Sequence, residues 1–186
     1  MVLERFGDPD PLERADVGLH TGELTLHECI ELEFSGLHEP LEVVVPWLLE
    51  HARIRPGFHE LAERHRPLIL STSFEQLIRP VLAREGLPDL DLLCNAADPR
   101  PDGWRAIWRD EAECAECGEP CKRGSLPAGE LAYVGDGWSD RCAALAADRV
   151  FARDGLAHYL EERGVPFERF DDFRDVAAAV DARTRS

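Results

Sequence analysis

Along residues 1–55 the apolar positions fall at Leu24, Ile30, Leu32 and Phe34, then at Leu41, Val44, Val45, Leu48 and Leu49, with acidic residues between them. That spacing predicts helices. Thr25 followed by Glu28 is a capping-box pattern and places a helix start near Thr25. After Pro56 and Gly57 the pattern predicts a short helix over 58–65, with Phe58, Leu61 and Ala62 facing inward. Residues 67–70 read as a short apolar strand that runs into a turn at Ser71, Thr72 and Ser73. A helix follows over 74–84, with Gly86 placed just past its end. Further on, 90–95 reads as a buried strand and 104–108 as an edge strand or hairpin arm. Residues 131–134 form a strand that stops at Gly135, and 139–147 a helix. Residues 149–152 form a fourth buried strand, and 155–163 an amphipathic helix ending at Gly164. A last helix over 172–182 has Phe173, Val176 and Val180 on one side.

Strands alternating with helices predict an α/β fold with a doubly wound, mainly parallel sheet. The helical first 55 residues predict a small cap subdomain. Residues 56–186 then form a Rossmann-like core with a cysteine-rich insert at 109–122.

Composition narrows the function. A formal charge of −16 across 186 residues opposes binding to a nucleic-acid backbone, which needs clustered Lys and Arg. No apolar run reaches the length of a membrane span, and the first residues lack the basic flank and apolar core of a signal peptide. The expectation is a cytoplasmic protein with no membrane partner; oligomeric state is left open. His20, His27, His38 and His51 have no ligand spacing and read as surface or partly packed residues.

Three stretches carry chemistry. In LAYVGDGWSD, Asp136 and Asp140 flank a glycine turn at the carboxyl end of a strand, where open α/β sheets bind ligands. Such a pair suits one hard cation; the plain alternative is a solvated turn with Asp140 capping the next helix. In LILSTSF, Ser71, Thr72 and Ser73 precede a helix whose amides favour an anion, or they simply cap it. Cys114, Cys117 and Cys121 are spaced to converge on a tetrahedral ion such as structural Zn2+, with Cys142 or a histidine as the fourth ligand; free or paired thiols are the other reading.

LILSTSF, the lone lysine after CGEPC, and YVGDGWSD followed by ADRVFARDGLAHYLEERGVPF resemble the haloacid dehalogenase-like phosphatases, nearest their phosphoserine-phosphatase branch. The resemblance runs from about residue 3 to residue 180. It implies a hydrolase, a Mg2+-dependent phosphomonoesterase acting on a small phosphorylated metabolite of the methionine-salvage or serine-phosphate kind. It assigns Ser71, with its neighbours Thr72 and Ser73, to the phosphoryl oxygens and Lys122 to charge neutralisation. Asp136 would hold Mg2+ and Asp140 would support the metal site. Phosphoryl transfer is mainly positioning and charge neutralisation, which these residue types supply.

The same resemblance places an aspartate nucleophile in a DxDGT sequence ending a first central strand, and no such sequence occurs in these 186 residues. Asp8-Pro9-Asp10 offers two acids but no following Gly-Thr, and it aligns with the start of the cap. The expectation is a translation start upstream of Met1. The alternatives are a catalytically inactive pseudo-phosphatase, or a zinc-stabilised binding module that keeps the phosphate pocket. A further departure is RGSLPAGE after the lysine, whose proline and glycines oppose the helix found there in the family.

Overall fold

The computed structural model describes residues 1–184 as mixed helix and strand. In chain order the elements are α1 (Val2–Phe6), α2 (Pro9–Thr21), α3 (Leu26–Ser35), α4 (Leu41–His51), α5 (Phe58–His65), β1 (Ile69–Phe74), α6 (Glu75–Arg84), β2 (Leu92–Asp98) and β3 (Arg105–Ile107). Then come β4 (Ala132–Gly135), α7 (Arg141–Ala144), β5 (Arg149–Ala152), α8 (Asp154–Glu162), β6 (Glu168–Arg169) and α9 (Phe173–Thr184). Among the described residues no helix is long and apolar enough to cross a membrane.

The strands form two three-stranded sheets, ordered β1-β2-β3 and β4-β5-β6. The second is wholly parallel, with Tyr133 opposite Val150 and Phe151 opposite Glu168. The first includes an antiparallel hairpin of β2 and β3. The chain divides into two compact units, Met1–Ala52 with Ser71–Ala112, and Arg53–Leu70 with Glu113–Ser186.

In the first unit, Asp8 stands at the N-cap of α2 with Pro9 in the opening turn, so the Asp-Pro-Asp stretch is a helix start. Thr25 and Glu28 make the reciprocal capping box of α3, the Thr25 amide donating to Glu28 at 2.8 Å. Helices α3 and α4 turn Ile30, Phe34, Val44 and Leu48 toward Phe74, Leu77 and Trp104. Phe34 and Phe74 meet edge-to-face at 4.5 Å, a preferred aromatic arrangement. Trp104 is fully buried, and its indole N–H donates to the Glu39 carbonyl at 2.8 Å.

The second unit has two apolar clusters. Tyr133, Val150 and Ala152 of the sheet pack with Ala143 and Ala144 of α7 and with Leu156 and Leu160 of α8. Phe151, Phe170, Val176 and Ala177 close around Leu61 of α5.

Two expectations shift, and a third, the lack of a helix after Lys122, holds. The hydroxyl residues Ser71–Ser73 lie inside β1 rather than in a turn after it, and α6 begins at Glu75. The helix expected over 139–147 is shorter: a single 3-10 turn, Trp138–Asp140, leads into the four residues of α7. The RGSLPAGE stretch forms only a 3-10 turn, Lys122–Ser125, as its proline and glycines require.

Candidate functional site

The second unit holds the acidic loop behind β4. This strand is buried through Tyr133 and ends at Gly135, and the chain then doubles back so that Asp140 faces the strand that precedes it. Asp140 stands at the N-cap of α7, but its side chain makes no cap bond to that helix. Its Oδ2 accepts the backbone N–H groups of Asp136 and Gly137, each at 3.0 Å. Its Oδ1 accepts Lys122 Nζ at 2.7 Å and the Tyr133 hydroxyl at 2.8 Å. Two carboxylate oxygens have about four acceptor positions, and these four bonds use them.

The pair is secluded, with the Lys122 side chain 13% exposed and that of Asp140 7%. Burial works to raise the Asp140 carboxyl. The Lys122 charge and hydrogen bond, the Gly137 amide and the Tyr133 hydroxyl outweigh it and hold the group below its ordinary value. For Tyr133 the balance is opposite: burial, then the Asp140 charge, push its phenol up, so it stays a donor.

Asp136 is different. Its backbone is tied in, its amide to Asp140 and its carbonyl to the Leu156 amide at 3.0 Å. Among the described residues no donor is hydrogen-bonded to its carboxylate, which is left available to a ligand. Lys122 uses one of its three donors on Asp140.

Beside this loop four sulfurs gather. Cys114, Cys117, Cys121 and Cys142 each place Sγ within 4.8 Å of the others, and all are free thiols. The Cys114 turn is closed by the Gly118 amide on the Cys114 carbonyl at 2.8 Å and the Cys114 amide on the Glu119 carbonyl at 3.1 Å. Gly118 takes the left-handed conformation that lets this tight turn form (φ 76°). Amides of Glu116 and Cys117 directed at the Cys114 sulfur bring that thiol down to about 6, whereas burial pushes Cys142 up to about 11. A histidine was the other sequence candidate for fourth ligand; the residue brought to the three thiols is Cys142.

Ser71, Thr72 and Ser73 belong to the first unit. There the Ser71 hydroxyl accepts the Ser73 amide at 3.1 Å, and the Thr72 carbonyl accepts Asn95 Nδ2 at 2.9 Å. Asn95, buried in β2, also accepts the Arg109 amide at 3.2 Å, so it ties β1 to the segment after β3.

Tyr133 is the member of the acidic network that sequence reasoning passed over, because a tyrosine in an apolar run reads as core. The available signal was a buried hydroxyl seven residues before an acid, since a buried phenol usually finds a partner.

No family model matches the chain. It is 30% identical over 188 residues to the 2-hydroxy-3-keto-5-methylthiopentenyl-1-phosphate phosphatase of Brevibacillus brevis, an alignment covering 94% of this chain and 84% of the relative. It is 28% identical over 169 residues to the polyol phosphate phosphatase PYP1 of Saccharomyces cerevisiae, covering 78% and 70%. Its fold is that of phosphoserine phosphatase from T. onnurineus, at a TM-score of 0.63 and 15% identity over 92% of this chain and 81% of that one. Sequence kinship along nearly the whole chain, on a fold shared with a phosphoserine phosphatase, establishes that this chain belongs to the haloacid dehalogenase-like phosphatase family.

Proposed function

We propose that this chain holds the cation and the phosphoryl group of a Mg2+-dependent phosphomonoesterase acting on a small phosphorylated metabolite. The observation that carries the reading is the locked Asp140–Lys122 pair together with an Asp136 carboxylate that, among the described residues, accepts no hydrogen bond. The names of the relatives, a polyol phosphate phosphatase and a 2-hydroxy-3-keto-5-methylthiopentenyl-1-phosphate phosphatase, favour a phosphorylated small molecule; methionine salvage or serine-phosphate chemistry as its source rests on the family resemblance alone.

The donor set suits magnesium, which takes one or two carboxylates and keeps several waters. Asp136 would hold the ion. Asp140, its acceptor positions spent, fixes the loop instead of ligating. When bound, the ion supplies neutralisation of charge on the phosphoryl oxygens. Lys122, its ammonium oriented by Asp140, adds a second positive charge. Ser71, by family resemblance alone, supplies a hydroxyl to the phosphoryl oxygens. The family resemblance assigns the carboxylate that accepts the phosphoryl group to a DxDGT sequence, and none occurs in these 186 residues.

Calorimetric titration of Mg2+ and of inorganic phosphate tests the binding half. Asp136→Asn is expected to weaken Mg2+, and Lys122→Met phosphate, by about tenfold or more. Unchanged affinities in both variants overturn the reading. A second reading, a phosphate-binding pseudo-phosphatase, is favoured by the lack of DxDGT in the chain. In-frame DNA upstream of Met1 separates the two: a strand ending in DxDGT supports the enzyme, and a stop codon supports the binder.

A further inference from the structure

We infer that Cys114, Cys117, Cys121 and Cys142 bind one Zn2+ as a closed tetrathiolate, and that this ion clamps Lys122 against Asp140. The first half stands on the four thiols alone. The second gives the clamp its meaning through the phosphatase reading above.

The geometry is that of a coordination shell. A tetrahedral Zn2+ with Zn–S of about 2.3 Å requires sulfurs about 3.8 Å apart. Cys114 and Cys142 stand 3.8 Å apart, and none of the four sulfurs is farther than 4.8 Å from another. A disulfide needs about 2.05 Å, so the pair is spaced for a shared ion rather than a bond. The Cys114–Cys117 turn, closed on Gly118 with two amides aimed at the Cys114 sulfur, directs two ligands to one side of a knuckle. Four sulfurs packed this closely cannot all ionise unless a cation offsets their repulsion. Thiolates select a soft or borderline ion over Mg2+, which separates this site from the carboxylate loop.

Placement gives the site a second purpose. Cys121 immediately precedes Lys122, and Cys142 lies two residues beyond Asp140. The ion would therefore join the two segments that carry the buried pair, within one or two residues of each member. Residues 114–121 carry no helix or strand of their own. Just after this segment, the Lys122–Asp140 bond and Arg123 reaching the Cys142 carbonyl at 3.4 Å also join the two stretches. A tetrathiolate would add metal–sulfur bonds to these hydrogen bonds, fixing a flexible lysine that the RGSLPAGE connection braces only with a 3-10 turn.

The test uses the chain as it is. Protein purified with reductant and supplemented with zinc should hold one zinc per chain by mass spectrometry of the metal. Replacement with Co2+ should give the thiolate charge-transfer and tetrahedral ligand-field bands. Cys142→Ser should lose both, while Cys29→Ser and Cys94→Ser, whose thiols lie outside the cluster, should keep them. Lys122 is the only lysine in the chain, so labelling lysine with 13C and 15N gives a single side-chain resonance. Chelation of the wild-type protein should move that resonance toward its position in Asp140→Asn. This readout needs neither substrate nor a cysteine variant that folds. Absence of stoichiometric zinc overturns the site, and a bound ion whose removal leaves the lysine resonance in place overturns the clamp. Failure of phosphate binding with zinc present and the lysine signal responsive would count against the phosphatase reading alone.

Discussion

A Cβ added to Gly135 would stand 2.7 Å from Cγ of Asp140 and 2.8 Å from its Oδ2. The last residue of β4 is therefore glycine because the buried carboxylate lies directly against its backbone. Asp140 cannot swing away, since four hydrogen bonds hold it from both sides. Gly135→Ala is expected to cost about 1–3 kcal/mol, as overpacking of a closed site does, and to weaken Mg2+ binding with it. Urea unfolding and calorimetry measure the two, and a variant with the parental unfolding midpoint would show that the carboxylate yields.

The network also ranks its own members. Tyr133→Phe removes one hydrogen bond to a charged group, worth about 1.5–3 kcal/mol. Asp140→Asn leaves the Lys122 ammonium secluded without its counter-charge, and sets an amide NH2 against groups that donate; breaking a buried pair this way costs about 3–5 kcal/mol. Denaturant titration should place the two variants in that order. The reverse order would mean that the hydroxyl, rather than the ion pair, holds the loop.

Acid should find a separate weak point at α9. Asp172 accepts the Arg174 guanidinium and the Arg174 amide, and these bonds bring its carboxyl from 3.8 down to about 2. Because the folded-state value is depressed, the stabilisation is complete above about pH 4 and is lost as pH falls toward 2. The stability difference between the parent and Asp172→Asn should therefore be constant above pH 4 and shrink below it. Urea midpoints across that window check this, and a difference that does not change with pH would exclude Asp172 as the titrating group.

At the other end of the chain, Thr25→Ala removes the side chain that accepts the Glu28 amide at the start of α3. The expected cost is about 1 kcal/mol, within the range of lost N-caps. Thr25→Ser should restore most of it. A Thr25→Ser variant as weak as Thr25→Ala would place the effect in the lost methyl instead of the cap.

The capping box was legible because its two partners are three residues apart and bond each other within one helical turn. The same holds for β5 and for the helix over 58–65, which local patterns place at the positions observed. Ser71–Ser73 were misread as a turn because hydroxyl residues favour turns locally, whereas hydrogen bonding to β2 keeps this stretch extended. At the acidic loop, the residue types and order of Asp136, Asp140 and Lys122 were visible, but the division of labour was not. Asp140 uses its acceptors on a tyrosine seven residues back and a lysine eighteen residues back. No window along the sequence contains that arrangement. Cys142 is separated from Cys114 by twenty-eight residues and joins its cluster only when α7 folds beside the 3-10 turn at Lys122.

Helix α5 belongs to a unit whose remainder is made much later. Phe58 meets Phe173 at 5.1 Å, the Pro56 carbonyl accepts the Phe173 amide at 2.9 Å, and Arg64 bonds Asp181 across 117 residues. A chain emerging from the ribosome therefore carries the apolar face of α5 without Phe151, Phe170 and α9, the partners that cover it, for about ninety residues or more, a long interval in which to meet a chaperone or a protease. Loss of α9 would strip Phe58 of its ring partner and Arg64 of its carboxylate, so α5 would register a fault made more than a hundred residues away.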